Sequence, residues 1–187
     1  MAKRKSLDLI VLLLISVLVV TASAAIYYSL SLEPEVMVST PAIRFESGTD
    51  TPGSSNVTDA WCLLRLKSYP NATLTYDDAL NISNTDTNNE HSFKLKHSSV
   101  TPDNGTATVG NWSYIKFIIY DENGTQKASL NYTVSGNNWT LAPASGETSQ
   151  LTIPADKDWT VKAITLSPAT ATEGQVCKIK ISVDVNE

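Results

Sequence analysis

Along residues 25–33 polar and apolar side chains alternate strictly. Ile26, Tyr28, Leu30 and Leu32 share one face of an extended chain, and Tyr27, Ser29, Ser31 and Glu33 share the other. This period of two predicts a strand with one buried face, which Pro34 ends by withholding an N–H from the ladder. The same alternation recurs downstream. Residues 60–67 set Cys62, Leu64 and Leu66 against Arg65 and Lys67, and residues 91–97 set Phe93 and Leu95 against Lys94 and Lys96. The last segment, 176–185, places Cys177, Ile179, Ile181, Val183 and Val185 on one side. Residues 113–120 are the most apolar run after the N-terminal region and predict a central strand buried on both faces.

Further strands are predicted at 35–45 (interrupted at Pro41), 73–83 (broken at Asp77-Asp78), 127–134, 139–141, 150–153 and 159–166. Between them lie polar, turn-forming stretches: 47–59, 84–90, Pro102-Asp103-Asn104-Gly105 and Asp121-Glu122-Asn123-Gly124. No segment after residue 24 sustains a helical period. The pattern predicts an all-β protein, an antiparallel β-sandwich of the jelly-roll or immunoglobulin-like kind.

The N-terminal region follows a different rule. Lys3, Arg4 and Lys5 precede an apolar run at 9–20, and Ala22-Ser23-Ala24 forms a small-residue cleavage site. The run of about a dozen residues is short for a membrane span, which needs roughly 20. Residues 1–24 are therefore read as an N-terminal signal helix, with a retained membrane anchor as the other reading. Residues 25–38 follow as an N-terminal strand and linker, and 39–187 as the sandwich domain. Removing 1–24 takes three of the 14 basic and one of the 19 acidic residues, leaving 11 against 18, a net of −7. Such a surface repels nucleic acid and anionic membrane, so membrane contact is expected only through the N-terminal segment before cleavage.

Candidate chemistry is sparse. Asn-x-Ser/Thr sequons at Asn56, Asn71, Asn81, Asn104, Asn111, Asn123, Asn131 and Asn138 are candidate glycan sites on an exported chain, and hence expected surface positions. Cys62 and Cys177 both face inward, one early and one late. A single disulfide tying the two strands is expected, two buried free thiols being the other reading. His91 and His97 complete no metal-ligand pattern and are expected as solvated strand-end residues. The acidic turns lack the ordered spacing of a calcium loop. No nucleophile motif appears, so no catalysis, cofactor or metal is expected.

The assembled order resembles archaeal TasA/camelysin-like bundling pilins, which are secreted filament subunits. The residues carrying the resemblance are Ala24-Ala25-Ile26-Tyr27-Tyr28-Ser29-Leu30, Tyr69-Pro70-Asn71-Ala72-Thr73-Leu74, Leu80-Asn81-Ile82-Ser83-Asn84-Thr85-Asp86 and the closing alternation through Val185. The resemblance implies donor-strand complementation, in which Ile26, Tyr28, Leu30 and Leu32 of one subunit complete the sandwich of the next. The partners would be other copies of the chain in a head-to-tail homopolymer, a cell-surface filament serving adhesion or biofilm. The chain departs from bacterial members in lacking their long insertions and in carrying two cysteines. Two other functions fit the sequence. One is a type IV-like archaeal pilin cleaved before Leu7 and keeping its N-terminal helix. The other is a monomeric cell-surface glycoprotein or carbohydrate-binding domain.

Overall fold

A computed structural model describes residues 41–103 and 108–186. The expected N-terminal signal helix, the expected strand of Ile26, Tyr28, Leu30 and Leu32, and the sequon at Asn104 lie outside the described residues. Eleven strands follow in order: β1 Ile43–Ser47, β2 Asn56–Val57, β3 Trp61–Lys67, β4 Thr73–Asn84, β5 His91–Pro102, β6 Tyr114–Tyr120, β7 Gln126–Ser135, β8 Asn138–Ala142, β9 Leu151–Ile153, β10 Asp158–Leu166 and β11 Val176–Asn186. A single 3-10 turn, Val109–Asn111, precedes β6. One antiparallel sheet has the order β1-β4-β10-β6-β7-β8 and the other β2-β3-β11-β5-β9. The two pack as a sandwich.

The alternation places the core. Cys62, Leu64 and Leu66 of β3, Phe93 and Leu95 of β5, and Cys177, Ile179 and Ile181 of β11 form the inner face of the five-stranded sheet. Against them pack Leu80 and Ile82 of β4, Ile115, Phe117 and Ile119 of β6, Leu130 and Tyr132 of β7, and Val161 and Ala163 of β10. β6 lies between β10 and β7. Its second face is buried only at Ile118, because Tyr114, Lys116 and Tyr120 remain half-exposed.

Three features depart from the sequence expectation. Asp77-Asp78 does not break β4, because the register against β10 shifts there: Leu80 opposes Val161 and Tyr76 opposes Ala163, so the extra residues are taken up in a bulge. β5 runs on to Pro102, past a second register shift beside Ile181. β2, only two residues long, lies inside the stretch read as loop.

That loop is held by Asp78, whose carboxylate accepts from the N–H and hydroxyl of Thr49 at 2.7 and 2.8 Å. A Cβ at Gly48 would sit 2.1 Å from the Asp78 carbonyl oxygen, so only glycine allows so close an approach.

The cysteines are not joined. Both are free and fully buried. Cys62 opposes Ile181 and Cys177 opposes Leu66 across the β3–β11 pair. Four residues of strand therefore separate them, roughly 13 Å, against the Cα separation of at most about 7 Å that a disulfide spans. A shared inward face does not imply adjacency. Burial pushes the Cys177 thiol up to about 12, and it pushes Cys62 higher still.

Candidate functional site

A β-sheet must satisfy or expose the main-chain groups along its edges. On this sandwich, edges are stoppered at three strands. Beside β3, the hydroxyl of Thr58 bonds the N–H and carbonyl of Trp61, Ser55 Oγ accepts from Arg65 N–H at 3.1 Å, and the Tyr76 hydroxyl lies 3.5 Å from Lys67 N. On β1, the N–H of Phe45 donates to the carbonyl of Asp59 at 3.0 Å. On β5, β9 pairs with residues 91–93, after which Thr148 Oγ1 accepts from Leu95 N–H, Thr148 N–H donates to the Leu95 carbonyl and His97 N–H donates to the Gly146 carbonyl.

Among the described residues β8 has no such cover. It is the last strand of its sheet, joined to β7 by a two-residue turn led by Gly136 at φ +61°. The turn makes Ser135 and Asn138 the closing pair, so Asn138, Thr140 and Ala142 direct their main-chain groups to β7. Those of Trp139 and Leu141 point away from the sheet and make no backbone hydrogen bond among the described residues.

The side chains behind this edge are apolar. Trp139, Leu141 and Val134 are half-buried against the core. The Trp139 ring lies 6.3 Å from Tyr132 at 90° and 6.4 Å from Trp112, and Tyr132 meets Phe117 edge-on at 5.9 Å. The indole nitrogens of both Trp112 and Trp139 are buried without a hydrogen-bond partner among the described residues. The contrast is Trp159, whose indole N–H donates to Glu122 at 3.0 Å. An unpaired buried donor costs about 1–3 kcal/mol. The corner thus holds edge amides and carbonyls without a backbone partner among the described residues and an apolar floor, which an added strand would satisfy and cover, beside two buried indole donors without a partner. Sequence reasoning placed a strand at 139–141 but gave no sign that it was an edge or that its tryptophan lacked a partner.

His97 lies at the same corner and is not a solvated residue. Its ring is half-buried 5.3 Å from Tyr132, with Nδ1 3.1 Å from the Tyr132 hydroxyl. Burial lowers its pKa and raises that of Tyr132. His91 also departs from the expectation, pairing with Asp86 at 2.9 Å. Among the described residues no group of three His, Cys, Asp or Glu side chains converges as a metal site.

A second feature is an open depression of about 290 Å³ on the outer face of the six-stranded sheet, lined by Tyr114, Lys116, Asn131 and Thr133. The first and last face each other across β6 and β7, as do the middle two. Asn131 Oδ1 is buried there without a partner among the described residues.

The sequons fall into distinct environments. Asn56, Asn71, Asn123 and Asn138 are exposed, and Asn81 and Asn131 are half-buried on the outer face of the six-stranded sheet. Asn111 corrects the expectation of surface placement. It is 4% exposed, and its Oδ1 accepts from Thr172 N–H at 2.8 Å.

No protein-family model and no curated protein matches the chain. Among solved structures, CBM35 from Paenibacillus barcinonensis matches at 14% identity and a TM-score of 0.25, over 79% of this chain and 95% of that one. The enzymatically active domain of bacteriophage CBA120 tailspike protein 4 matches at 13% identity and a TM-score of 0.25, over 79% of this chain and 20% of that one. Likenesses this slight carry no weight for fold or function.

Proposed function

We propose that the chain is the structural subunit of an extracellular filament, in which the β8 edge of one copy receives residues 26–32 of the next. The observation that carries this reading is the β8 edge, uncovered among the described residues, with Trp139 and Leu141 behind it. The matching piece is the strictly alternating segment Ile26, Tyr28, Leu30, Leu32, bounded by Ala22-Ser23-Ala24 and Pro34. Strand addition satisfies edge groups on both partners and buries four apolar side chains, at roughly 1.5–3 kcal/mol each.

Chain reach favours a second copy as the donor. The sandwich begins at β1, the opposite edge of the same sheet from β8. Five inter-strand steps of about 4.8 Å separate the two, roughly 24 Å. Residues 33–42 reach at most about 36 Å when fully extended. A subunit seating its own strand would spend about two-thirds of that reach crossing a sheet face. Head-to-tail repetition of one such contact does not close, so it builds a filament.

Deleting residues 25–33 should leave a folded sandwich that forms no filaments, and Leu30→Asp should act nearly as strongly because a buried unpaired carboxylate is costly. Filaments of normal diameter from the deletion variant would overturn the reading. N-terminal sequencing of the exported protein separates it from the helical-pilin alternative, with Ala25 expected first rather than Leu7.

The depression at Tyr114, Lys116, Asn131 and Thr133 favours a second reading, a carbohydrate-binding domain with a tyrosine ring beside polar groups. Its test is neutral-sugar binding by wild type and by Tyr114→Ala. A glycan found attached at Asn131 would fill the depression and remove this reading.

A further inference from the structure

The chain is acidic overall, with a formal net charge of −5. Six of its 14 cations nevertheless share one surface. The outward positions of β3, β11 and β5 carry Arg65, Lys67, Lys94, Lys96, Lys178 and Lys180. Among the described residues three carboxylates meet them. Asp103 takes both Arg65 and Lys178, Glu147 takes Lys96 at 3.0 Å and Lys94 at 3.6 Å, and Asp184 lies opposite Lys94. The face therefore carries a surplus of three positive charges.

The cations stand close together, and Asp103 bridges two of them, Arg65 and Lys178. Arg65 stands directly opposite Lys178, and Lys180 follows two residues along the same strand. Like charges in such positions repel. Lys180 instead lies over the ring of Trp61, 4.3 Å from its centroid. Trp61 is half-buried on this outer face, diagonal to Lys180 and opposite Ser182. None of the seven sequons among the described residues lies on β3, β11 or β5, and Asn56 on β2 stands only at the rim, opposite Leu63.

We infer that the outer face of the β3–β11–β5 sheet binds an acidic polysaccharide, a chain of sugars bearing carboxylate or sulfate groups. The indole of Trp61 offers an apolar platform for a sugar ring, and the surrounding ammonium and guanidinium groups meet the acid substituents. A second copy of the chain could offer Glu90, Asp156 and Asp158, but the neighbouring Asp86, Asp121 and Glu122 are already engaged. Asp86 accepts from the main chain at Asn88 and Asn89 and pairs with His91, Asp121 accepts from Asn123 and Thr125 and pairs with Lys127, and Glu122 holds Trp159. Single-stranded nucleic acid is held by successive stacking rings, and this face has one. The inference does not depend on the filament reading.

The test uses the whole exported protein with four probes: a sulfated glycan, a polyuronate, neutral dextran and duplex DNA, at low and high salt. Both acidic glycans should bind and weaken with salt, dextran should not bind, and DNA should bind less well. Lys178→Gln with Lys180→Gln should weaken glycan binding by about tenfold or more, a change of about 1.4 kcal/mol. Lys157→Gln with Lys162→Gln, which lowers net charge equally outside this face, should change it little. Trp61→Ala should weaken glycan binding and leave any DNA binding unchanged. Preference for one acidic glycan over the other assigns the substituent. The inference is overturned if neither glycan binds, if dextran binds equally, if DNA is preferred, or if the paired lysine variant binds as wild type while still melting normally. Salt-sensitive self-association that the glycans do not compete with would also overturn it, in favour of a second copy.

Discussion

β3 and β8 both lie near sheet margins, yet only one is finished. Along β3, the hydroxyls of Ser55 and Thr58 supply what a neighbouring strand would have supplied, and two-residue β2 completes the cover. Along β8, Trp139 and Leu141 present their main-chain groups to no backbone partner among the described residues, above rings whose indole N–H groups are also unpaired. Among the described residues the edge problem is therefore solved with small hydroxylated residues at one margin and left open at another. A protein that must stay monomeric gains nothing from the second arrangement, whereas a strand-accepting subunit requires it.

The sharpest way to break this comparison is to close β8. Leu141→Pro removes an N–H that faces away from the sheet, a substitution an edge strand accommodates better than a central one. Under the proposed assembly it abolishes filaments by electron microscopy while the sandwich still melts cooperatively. The converse is to open β3. Ser55→Ala and Thr58→Ala should each cost about 1 kcal/mol in denaturant melts and should make the protein aggregate at an edge that is now sealed. Trp139→Phe deletes an unpaired donor but also shrinks the ring, so relief of up to about 1–3 kcal/mol is set against a cavity cost and the isolated subunit should change little in stability, while assembly weakens.

Acid separates the β8 corner from the rest of the surface. The His97 pKa is lowered by burial, so the unfolded chain binds the proton more readily. Stability should then fall as pH drops below the unfolded value near 6.5. Asp103, held low chiefly by Lys178, Asp121 chiefly by Lys127, and Glu147 chiefly by Lys96 behave differently. Their contributions are present above the ordinary carboxylate range and are lost as pH falls through their depressed values. Two stages of acid destabilisation are expected, and His97→Gln should remove only the first. The smallest effect concerns the thiols. Cys62 and Cys177 should resist alkylation in the native protein and both react after unfolding, with no mass change on reduction alone.

Much of the fold was legible because alternation reports which face a residue occupies. Phe93, Leu95, Ile179 and Ile181 were placed inward by pattern and are fully buried. Alternation does not report which strand lies beside which, and here it left the most to the structure. The disulfide expectation failed on that point, since Cys62 and Cys177 share a face but sit four residues out of register. Strand order also hid the candidate site, because residues 139–141 look no different as an edge than as an interior strand. Asp77-Asp78 read as a break because a bulge looks like one in sequence, and Asn111 read as a surface position because a sequon says nothing about burial.

Amide hydrogen exchange at Trp139 and Leu141, in dispersed subunits and in filaments, tests the β8 edge most directly. Strand addition at β8 requires fast exchange at both amides in the subunit and strong protection in the filament, with Arg65 and Phe45 unchanged. Protection already present in the subunit, or amides still exchanging freely inside the filament, would contradict it.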